Sequence, residues 1–321
     1  MIQDRSDPMA PARVPTGRPA AITAIVVNHN SLEFLKPCLA ALRRALAGLD
    51  GEIVVVDNQS TDGSREWLAR AADVDRAILS DENAGFGRAN NRAIRESRGR
   101  LILLLNPDTV AGADSVRALA SFLDAPEHAA AGAAGPTVVQ VDGTFYRQCA
   151  RNLPDPRSSA RAMFPRLARW LAPAKPYFAF DRAPDRPAQI ECLSGSAMMI
   201  RRECLDRIGL FDEAFFLYAE DVDLCRRMRD TGWEVWHVPT DPVVHYSGGS
   251  SEKRSRTATV HFYRSAAIYY RKHFMRGRRM PRPVDVVVLA ALRLRLALDL
   301  AAIVFGLRTQ VGSVKPRERA A

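Results

Sequence analysis

The chain has 321 residues, of which 47% are hydrophobic and 26% are charged, and its net charge is +10. This composition is ordinary for a folded globular protein, and it excludes a chain that is disordered throughout and a polytopic membrane protein. The five cysteines are scattered and include no CxxC pair, which argues against a disulfide framework or a structural zinc site and fits a reducing compartment.

The first part of the chain alternates short apolar runs with amphipathic segments. Residues 1–20 are rich in proline and poor in apolar residues, so we predict a disordered lead-in there. Strands that are apolar on both faces and alternate with helices indicate a parallel sheet covered on both sides. The predicted strands are Ile22–Val27, Glu52–Val56, Ile78–Leu79 and Leu101–Leu105, and the predicted helices are Leu32–Leu46, a short one capped by Asp62 and ending at Leu68, and Gly87–Ser97.

The pattern is looser in the rest of the chain. Residues 150–187 are rich in Pro and Arg, and we predict a long irregular region at the mouth of the active site. The other predicted elements are strands at Thr137–Val141, Cys192–Ile200 and Glu234–Val238 and helices at Ser115–Leu123, Ala219–Asp230, Thr257–Phe274 and Val284–Leu307. We therefore expect one large α/β domain at 21–250 and a helical extension at 251–321.

The basic excess belongs to that extension. From residue 251 to the end there are 16 Lys and Arg against 4 Asp and Glu. The net charge of this segment is therefore +12, which exceeds the +10 of the whole chain. Such a segment can bind an anionic membrane surface or nucleic acid, or it can simply be solvated. Charged residues interrupt the apolar stretch Val284–Leu307, so we expect this helix to lie on a membrane surface and not to cross it. The competing interpretation is a helix packed on the protein itself or in an oligomer contact.

Two acidic residues follow predicted strands in places where ligands bind. Asp57 ends the second strand and begins a polar turn, and Asp108 ends the sequence Asn106-Pro107-Asp108 after the fourth strand. In open parallel sheets, ligands bind beyond the carboxyl ends of the strands. A carboxylate there can accept a hydrogen bond from a base or ribose, or hold a hard divalent cation that bridges diphosphate oxygens.

A glycine-bearing loop precedes the third helix. The sequence from Asn83 through Gly85, Phe86 and Gly87 superficially resembles a dinucleotide fingerprint, but it follows the third strand and no glycine stands at position 90. We therefore reject NAD binding. A loop of this kind at a helix N-terminus remains a suitable contact for a diphosphate or a nucleotide.

An acidic cluster and a histidine complete the set of candidate residues. Glu220, Asp221 and Asp223 open a helix after an aromatic stretch. The helix dipole favours acids at that end, but one of three clustered carboxylates beside a cleft could also act as a general base. His245 ends a short strand before a Gly/Ser loop, where it is either a structural histidine or a metal ligand.

Together these motifs resemble the family 2 glycosyltransferases of the GT-A fold, most closely the bacterial rhamnosyltransferase-like branch, over residues 21–265. The resemblance implies a mostly parallel central sheet with flanking helices, followed by the C-terminal helical extension. The segments that match best are Ile25–Asn30, Val55–Ser64, Asn83–Phe86, Leu105–Asp108 and Phe215–Asp223.

The resemblance also implies a reaction. It is the metal-assisted, inverting transfer of a sugar, most commonly rhamnose, from a nucleotide-diphosphate donor to a hydroxyl of a glycan or lipid-linked acceptor in cell-wall or polysaccharide biosynthesis. The enzyme would be cytoplasmic and peripheral on the inner face of the cell membrane, where its basic C-terminal segment would contact anionic lipid, and it would bind no nucleic acid.

Site residues follow from the resemblance by position. Asp221 would be the catalytic base, with Glu220 as its substitute, while Asp108 and His245 would bind Mg²⁺ or Mn²⁺. Asn106 stands where many members have Asp, which leaves fewer anionic ligands. The residues implied in nucleotide-sugar binding are Asn28, Asp57, Asn83, Gly85, Phe86, Asn106 and Asp108.

Two other functions stay open. A sugar-nucleotidyltransferase uses a similar sheet, but it would carry a glycine-rich, basic loop after the first strand, where this chain has Asn28–Ser31. A non-catalytic protein could bind nucleic acid or membrane through the basic C-terminus. Salt-dependent nucleic-acid binding without sugar-nucleotide hydrolysis would identify it.

Overall fold

The computed structural model describes residues 21–163, 175–246, 256–277 and 280–305. The lead-in predicted at 1–20 and the part of the last helix predicted beyond residue 305 therefore lie outside the described residues, as does the Gly/Ser loop after Tyr246. The strands are β1 (Ile22–Asn28), β2 (Gly51–Asn58), β3 (Arg76–Ser80), β4 (Leu101–Leu105), β5 (Thr109–Val110), β6 (Ala131–Gly135), β7 (Val138–Gln140), β8 (Ala150–Arg151), β9 (Ala188–Ile190), β10 (Cys192–Leu193), β11 (Ala197–Arg201), β12 (Glu234–His237) and β13 (Val243–His245). The α-helices are α1 (Leu32–Ala45), α2 (Ser64–Leu68), α3 (Phe86–Glu96), α4 (Ser115–Asp124), α5 (Pro156–Met163), α6 (Arg202–Ile208), α7 (Glu220–Asp230), α8 (Arg256–Phe274) and α9 (Pro283–Val304).

An eight-stranded sheet forms the centre of the molecule, with strand order β3-β2-β1-β4-β11-β6-β12-β9. Strands β1 to β4 run parallel, and β1 and β4 are buried along their whole length because helices cover both faces of the sheet. Strand β11 pairs antiparallel with both of its neighbours, and β9 pairs antiparallel with β12. The expected α/β fold with a mostly parallel central sheet is therefore confirmed.

The sheet brings the predicted strand-end residues to one edge. Asn28 and Asp57 are register partners at the ends of β1 and β2. Since β4 pairs parallel with β1, the turn that holds Asn106 and Asp108 leaves the sheet at the same edge. A small second sheet, in the order β5-β13-β7, returns His245 to this edge by pairing it with Thr109.

Two predictions about the middle of the chain were wrong. The run Cys192–Ile200, predicted as one strand, is divided between β10 in a two-stranded sheet and β11 in the central sheet. The division occurs at Ser194–Ser196, where the amide of Gly195 donates to Asp221 and the carbonyl of Ser196 accepts from Asn106. The region 150–187 is not irregular throughout, because it contains β8 and α5.

Asp62 caps two helices at once. Its carboxylate accepts hydrogen bonds from the amide of Leu32, the first residue of α1, and from the amide and hydroxyl of Ser64, the first residue of α2. These bonds satisfy helix amides that have no partner within their own helices. The capping role predicted for Asp62 is thus confirmed, and it fixes both helices beside the edge where the strands end.

Candidate active site

A buried polar pair lies at the ends of the first two strands. The Asn28 amide donates to Asp57 Oδ2 and to Ser60 Oγ, each at 3.1 Å, and Asp57 Oδ1 accepts from the Ser60 amide at 3.0 Å. Arg65 adds an ion pair with Asp57 at 3.5 Å. The structure therefore brings together Asn28 and Asp57, two of the residues implied in nucleotide-sugar binding. Both Asp57 and Asn28 are fully buried. Because Asp57 Oδ1 accepts from the Ser60 amide, Asp57 also fixes the turn in which it stands.

The glycine-bearing loop is held against that turn by Asn58. Its amide nitrogen donates to Asn83 Oδ1 at 2.8 Å, and its oxygen accepts from the amide of Ala84 at 2.9 Å. Gly85 has φ +82°, and a Cβ there would approach the carbonyl oxygen of Phe216 to 2.3 Å. Only glycine fits this position, because both the backbone angle and the close contact exclude a side chain.

Asp108 and His245 also come together. Their Oδ1 and Nε2 atoms are 3.3 Å apart, and the carbonyl of Asp108 accepts from the amide of Tyr246 at 2.9 Å. The two residues are 137 positions apart in the sequence, and the pairing of β13 with β5 joins them. Asn106 lies beside them, with its amide donating to the carbonyl of Ser196.

This pair fits a divalent cation that binds together with a phosphorylated ligand. A carboxylate and an imidazole are both suitable ligands for Mn²⁺, and Mg²⁺ usually takes one or two carboxylates together with substrate phosphates. Within the described ranges no three or more His, Cys, Asp or Glu side chains form a group that could hold a metal ion.

The carboxylate of Asp221 is fixed by a buried cation. Arg151 Nη2 lies 2.6 Å from Asp221 Oδ2, and both side chains are nearly buried. The amide of Gly195 donates to the same oxygen at 3.1 Å, and the amide of Val222 donates to the other at 2.7 Å. Charge-assisted hydrogen bonds of this kind are short and strong, so these three contacts fix the orientation of the Asp221 side chain.

Glu220, its neighbour, has the opposite environment. Burial, and secondarily the charge of Asp221, raises the pKa of Glu220 to about 8. Within the described part of the chain, Glu220 Oε2 is buried and has no hydrogen-bond partner. Burial thus favours the neutral form of Glu220 near neutral pH, whereas the carboxylate of Asp221 is held by a guanidinium and two amides.

Asp223, the third acid of the cluster, points away from these two. Its carboxylate contacts Lys272 and His273 of α8 and Arg227 of its own helix, each at 2.8 Å. Burial alone would raise the pKa of Asp223, but the hydrogen bond from His273 and those from Lys272 and Arg227 outweigh it and lower the pKa to about 2. Asp223 therefore joins α7 to the C-terminal extension.

The backbone before the acids is strained. Tyr218 and Ala219 have φ of 68° and 64°, a left-handed conformation that non-glycine residues rarely adopt. Residues held in this way cluster at active sites, where surrounding contacts maintain them. One such contact is the hydrogen bond from Ser265 Oγ of α8 to the carbonyl of Leu217, at 2.8 Å.

Sequence reasoning did not find three of the residues that shape this site. Arg151 lies in the segment predicted as irregular, and no local pattern relates it to an acid 70 residues later. In the sequence, Asn58 is only one residue of the matching segment Val55–Ser64 and has no role of its own. Gly195 packs between the ring of Phe86 and Cβ of Asp221, at 3.2 and 3.7 Å from where its own Cβ would stand. The flanking serines were the only available signal, since small residues permit close approach.

The chain resembles a large family in sequence. The sequence model of glycosyl transferase family 2 matches residues 23–209, and the sequence model of glycosyl transferase family 21 matches residues 185–311. The chain is 30% identical over 263 residues to the N-acetylglucosaminyl-diphospho-decaprenol L-rhamnosyltransferase of Mycobacterium tuberculosis, an alignment that covers 77% of this chain and 83% of that protein. It is 26% identical to the rhamnosyltransferase WbbL of Escherichia coli, over 70% of this chain and 82% of that protein.

Solved structures share its fold. The mannosyltransferase PcManGT of Pyrobaculum calidifontis, in complex with GDP-Man and Mn²⁺, superposes with a TM-score of 0.53 at 19% identity and covers 92% of this chain and 79% of its own. TarS of S. aureus superposes with a TM-score of 0.52 at 16% identity and covers 85% of this chain and 43% of its own. These similarities establish the GT-A fold.

Proposed function

This chain belongs to glycosyl transferase family 2, and from that premise we propose that it is a metal-assisted, inverting glycosyltransferase that acts on a lipid-linked or other glycan acceptor. Transfer of a sugar from a nucleotide-diphosphate donor is the activity of the family. Rhamnose is the sugar that we propose, because two relatives are named as rhamnosyltransferases. One of them is named for an N-acetylglucosaminyl-diphospho-decaprenol, which favours a lipid-linked acceptor.

The observation that carries the proposal is the divergence of the two neighbouring acids. The carboxylate oxygens of Asp221 are oriented by Arg151 and two backbone amides. Glu220 is buried and its pKa is raised, so it is a poor proton acceptor near neutral pH. A general base must be able to take a proton from the acceptor hydroxyl, and we therefore assign that role to Asp221 and not to Glu220.

The reaction follows from these roles. Asp221 takes the proton of the acceptor hydroxyl, and the acceptor oxygen attacks C1 of the donor sugar on the face opposite the nucleotide. The bond between C1 and the diphosphate breaks, the diphosphate keeps the electron pair, and the configuration at C1 inverts. Direct displacement requires no covalent intermediate with the enzyme, so no nucleophilic side chain is needed.

The nucleotide is assigned to the edge where the strands end. Asn28 and Asp57 would form the nucleoside pocket, while Asn83, Gly85 and Phe86 would contact the donor from the loop that Asn58 fixes. Asp108 and His245 would hold Mg²⁺ or Mn²⁺, with Asn106 beside them. A bound divalent cation neutralises charge that develops on the leaving diphosphate.

We place the enzyme in the cytoplasm, peripheral on the inner face of the membrane. No helix in the described ranges is both long and apolar enough to cross a bilayer. A lipid-linked acceptor lies at a membrane surface, and the basic C-terminal segment is suited to anionic headgroups.

A donor screen tests the proposal. The full-length protein would be incubated with each nucleotide-diphosphate sugar, with and without Mn²⁺, and release of nucleotide diphosphate would be measured. We expect release from one donor or a few, and loss of release when the metal is chelated. Release of pyrophosphate from a nucleoside triphosphate and a sugar phosphate would instead identify a sugar-nucleotidyltransferase. Salt-dependent nucleic-acid binding without any turnover would identify a non-catalytic protein.

A further inference from the structure

The last helix is oriented with its polar side inward. Asp285 and Asp299 of α9 are 1% and 4% exposed, and each accepts a hydrogen bond from a buried tyrosine of α8. Tyr270 donates to Asp285 at 2.9 Å and Tyr263 donates to Asp299 at 2.6 Å. These bonds satisfy carboxylates that would be costly to bury alone, and they fix the rotation of α9 about its axis.

The opposite side of α9 is apolar and exposed. We call this surface the outer face of α9, and it comprises Val284, Val286, Val287, Leu294, Leu298 and Val304. Each of these side chains is more than half exposed, and Val287 reaches 64%. An ordinary surface helix buries its apolar side, so a continuous exposed apolar face marks a surface that another apolar phase covers.

The exposed charges of α9 and of the described chain just before it are all positive. The exposed charged residues of α9 and of the described chain just before it are Arg271, Arg276, Arg282 and Arg293. The only acids of α9, Asp285 and Asp299, are turned toward α8. An apolar face with a cationic border complements the acyl region and the anionic headgroups of a lipid leaflet.

We propose that the outer face of α9 inserts into the interfacial region of an anionic lipid bilayer, with α9 lying along the membrane. The proposal deepens the membrane localisation proposed above by naming the surface that binds lipid, and it rests on the proposed function only in supposing that the acceptor is found at the same membrane. A second copy of the chain fits less well, because a two-fold contact through this face would set one cationic border against another.

Helix α8 joins α9 to the segment that carries Asp221. Lys272 and His273 contact Asp223, which is two residues beyond Asp221. The ring of His261 stacks on Phe216 with centroids 4.4 Å apart, and Ser265 holds the carbonyl of Leu217. Because α9 packs on the same helix, a membrane bound at its outer face has a fixed relation to the acids of the site.

Flotation of the full-length protein with vesicles tests the proposal. Vesicles of phosphatidylcholine with phosphatidylglycerol would be compared with vesicles of phosphatidylcholine alone, at low salt. We expect the double variant Val287→Glu/Leu294→Glu to bind the anionic vesicles more than tenfold more weakly than the parent. The single variant Val287→Glu should also bind more weakly, and its matched control is Val141→Glu, which adds one charge at another exposed valine, 66% accessible, and should bind as the parent does.

A second pair of variants tests the cationic border. Arg271→Gln/Arg276→Gln should weaken binding to the anionic vesicles by about fivefold per residue at low salt, with a smaller effect at high salt. Arg70→Gln/Arg98→Gln has the same change in net charge at exposed positions elsewhere and should change binding little. Thermal unfolding would verify that every variant folds as the parent does.

Three results would overturn the proposal. They are a parent protein that does not float with anionic vesicles, a Val287→Glu/Leu294→Glu variant that binds like the parent, and a dimer of the parent in light scattering that this variant dissociates. Release of nucleotide diphosphate, measured on the same samples without vesicles, keeps the two proposals apart. An active enzyme that does not bind lipid refutes the docking surface and the membrane localisation but not the transferase, whereas lipid binding without turnover on any donor refutes only the transferase.

Discussion

Three carboxylates within four residues of the chain have three different environments. Asp221 is ion-paired with Arg151, Glu220 is buried with a raised pKa, and Asp223 is contacted by cations of α7 and α8. Their sequence pattern predicts that one of them acts as a base, but it does not predict which. The difference depends on Arg151 and Lys272, which reach the cluster from distant parts of the chain.

Breaking the pair of Arg151 and Asp221 should destabilise the protein strongly. Arg151→Met leaves a nearly buried carboxylate without its cation, which typically costs about 3–5 kcal/mol. Arg100→Met is the matched control, because Arg100 pairs with Asp124 while their side chains are 54% and 39% exposed. Such exposed pairs contribute about 0–1 kcal/mol. Urea unfolding would measure both, and equal losses in the two variants would contradict a buried pair at Asp221.

The metal assignment predicts one shared defect from two distant substitutions. Asp108→Ala and His245→Ala should each weaken donor binding in the presence of Mn²⁺ and have little effect in its absence, because both residues are assigned to the same ion. His128→Ala, a histidine that stacks on Phe122 away from this edge, should behave as the parent. Calorimetry of donor binding would decide. A His245 variant with an unchanged metal response would show that this histidine is structural.

The secondary structure of the first half of the chain, where strands and helices alternate, was more predictable than that of the second half. Strands β1, β2 and β4 are apolar on both faces, so their type and order could be inferred, and parallel pairing then placed Asp57 and Asp108 at one edge. The prediction of a single strand at Cys192–Ile200 was wrong, because an apolar pattern does not show that a Ser-Gly-Ser bend divides it. That bend depends on hydrogen bonds to Asn106 and Asp221, which lie elsewhere in the sequence.

The attachment of α8 to α7 should depend on pH through Asp223. Its pKa is lowered to about 2, from an ordinary value of 3.8, so the ionised form stabilises the folded state. This stabilisation, about 2 kcal/mol by linkage, is fully present above the ordinary value and is lost as the pH falls through the lowered one. Asp223→Asn should therefore be less stable than the parent at neutral pH, and the difference should shrink toward pH 2. Chemical unfolding at several pH values would measure it, and a difference that is independent of pH would contradict the role of this carboxylate.

At the scale of the whole molecule, the central sheet and the C-terminal helices meet at the acidic segment. The sheet edge supplies Asp57 and Asp108, and α8 holds the strained residues before Glu220 through Ser265. The charged residues that interrupt the last helix in the sequence include Asp285 and Asp299, which the fold buries against α8. Which way these aspartates face could not be predicted. The tyrosines that donate hydrogen bonds to them lie on α8 and meet them only through tertiary packing.

The most direct test of the account is the rate of sugar transfer by Asp221→Asn, measured as release of nucleotide diphosphate with the donor that the parent accepts. We predict a loss of ~10²–10⁴-fold with donor affinity nearly unchanged, because a positioned base is removed while the nucleotide pocket is intact. Glu220→Gln is the control, since burial already favours the neutral form of Glu220 below its raised pKa of about 8, and it should keep most of the activity at neutral pH. Transfer by Asp221→Asn within a factor of two of the parent would contradict the account.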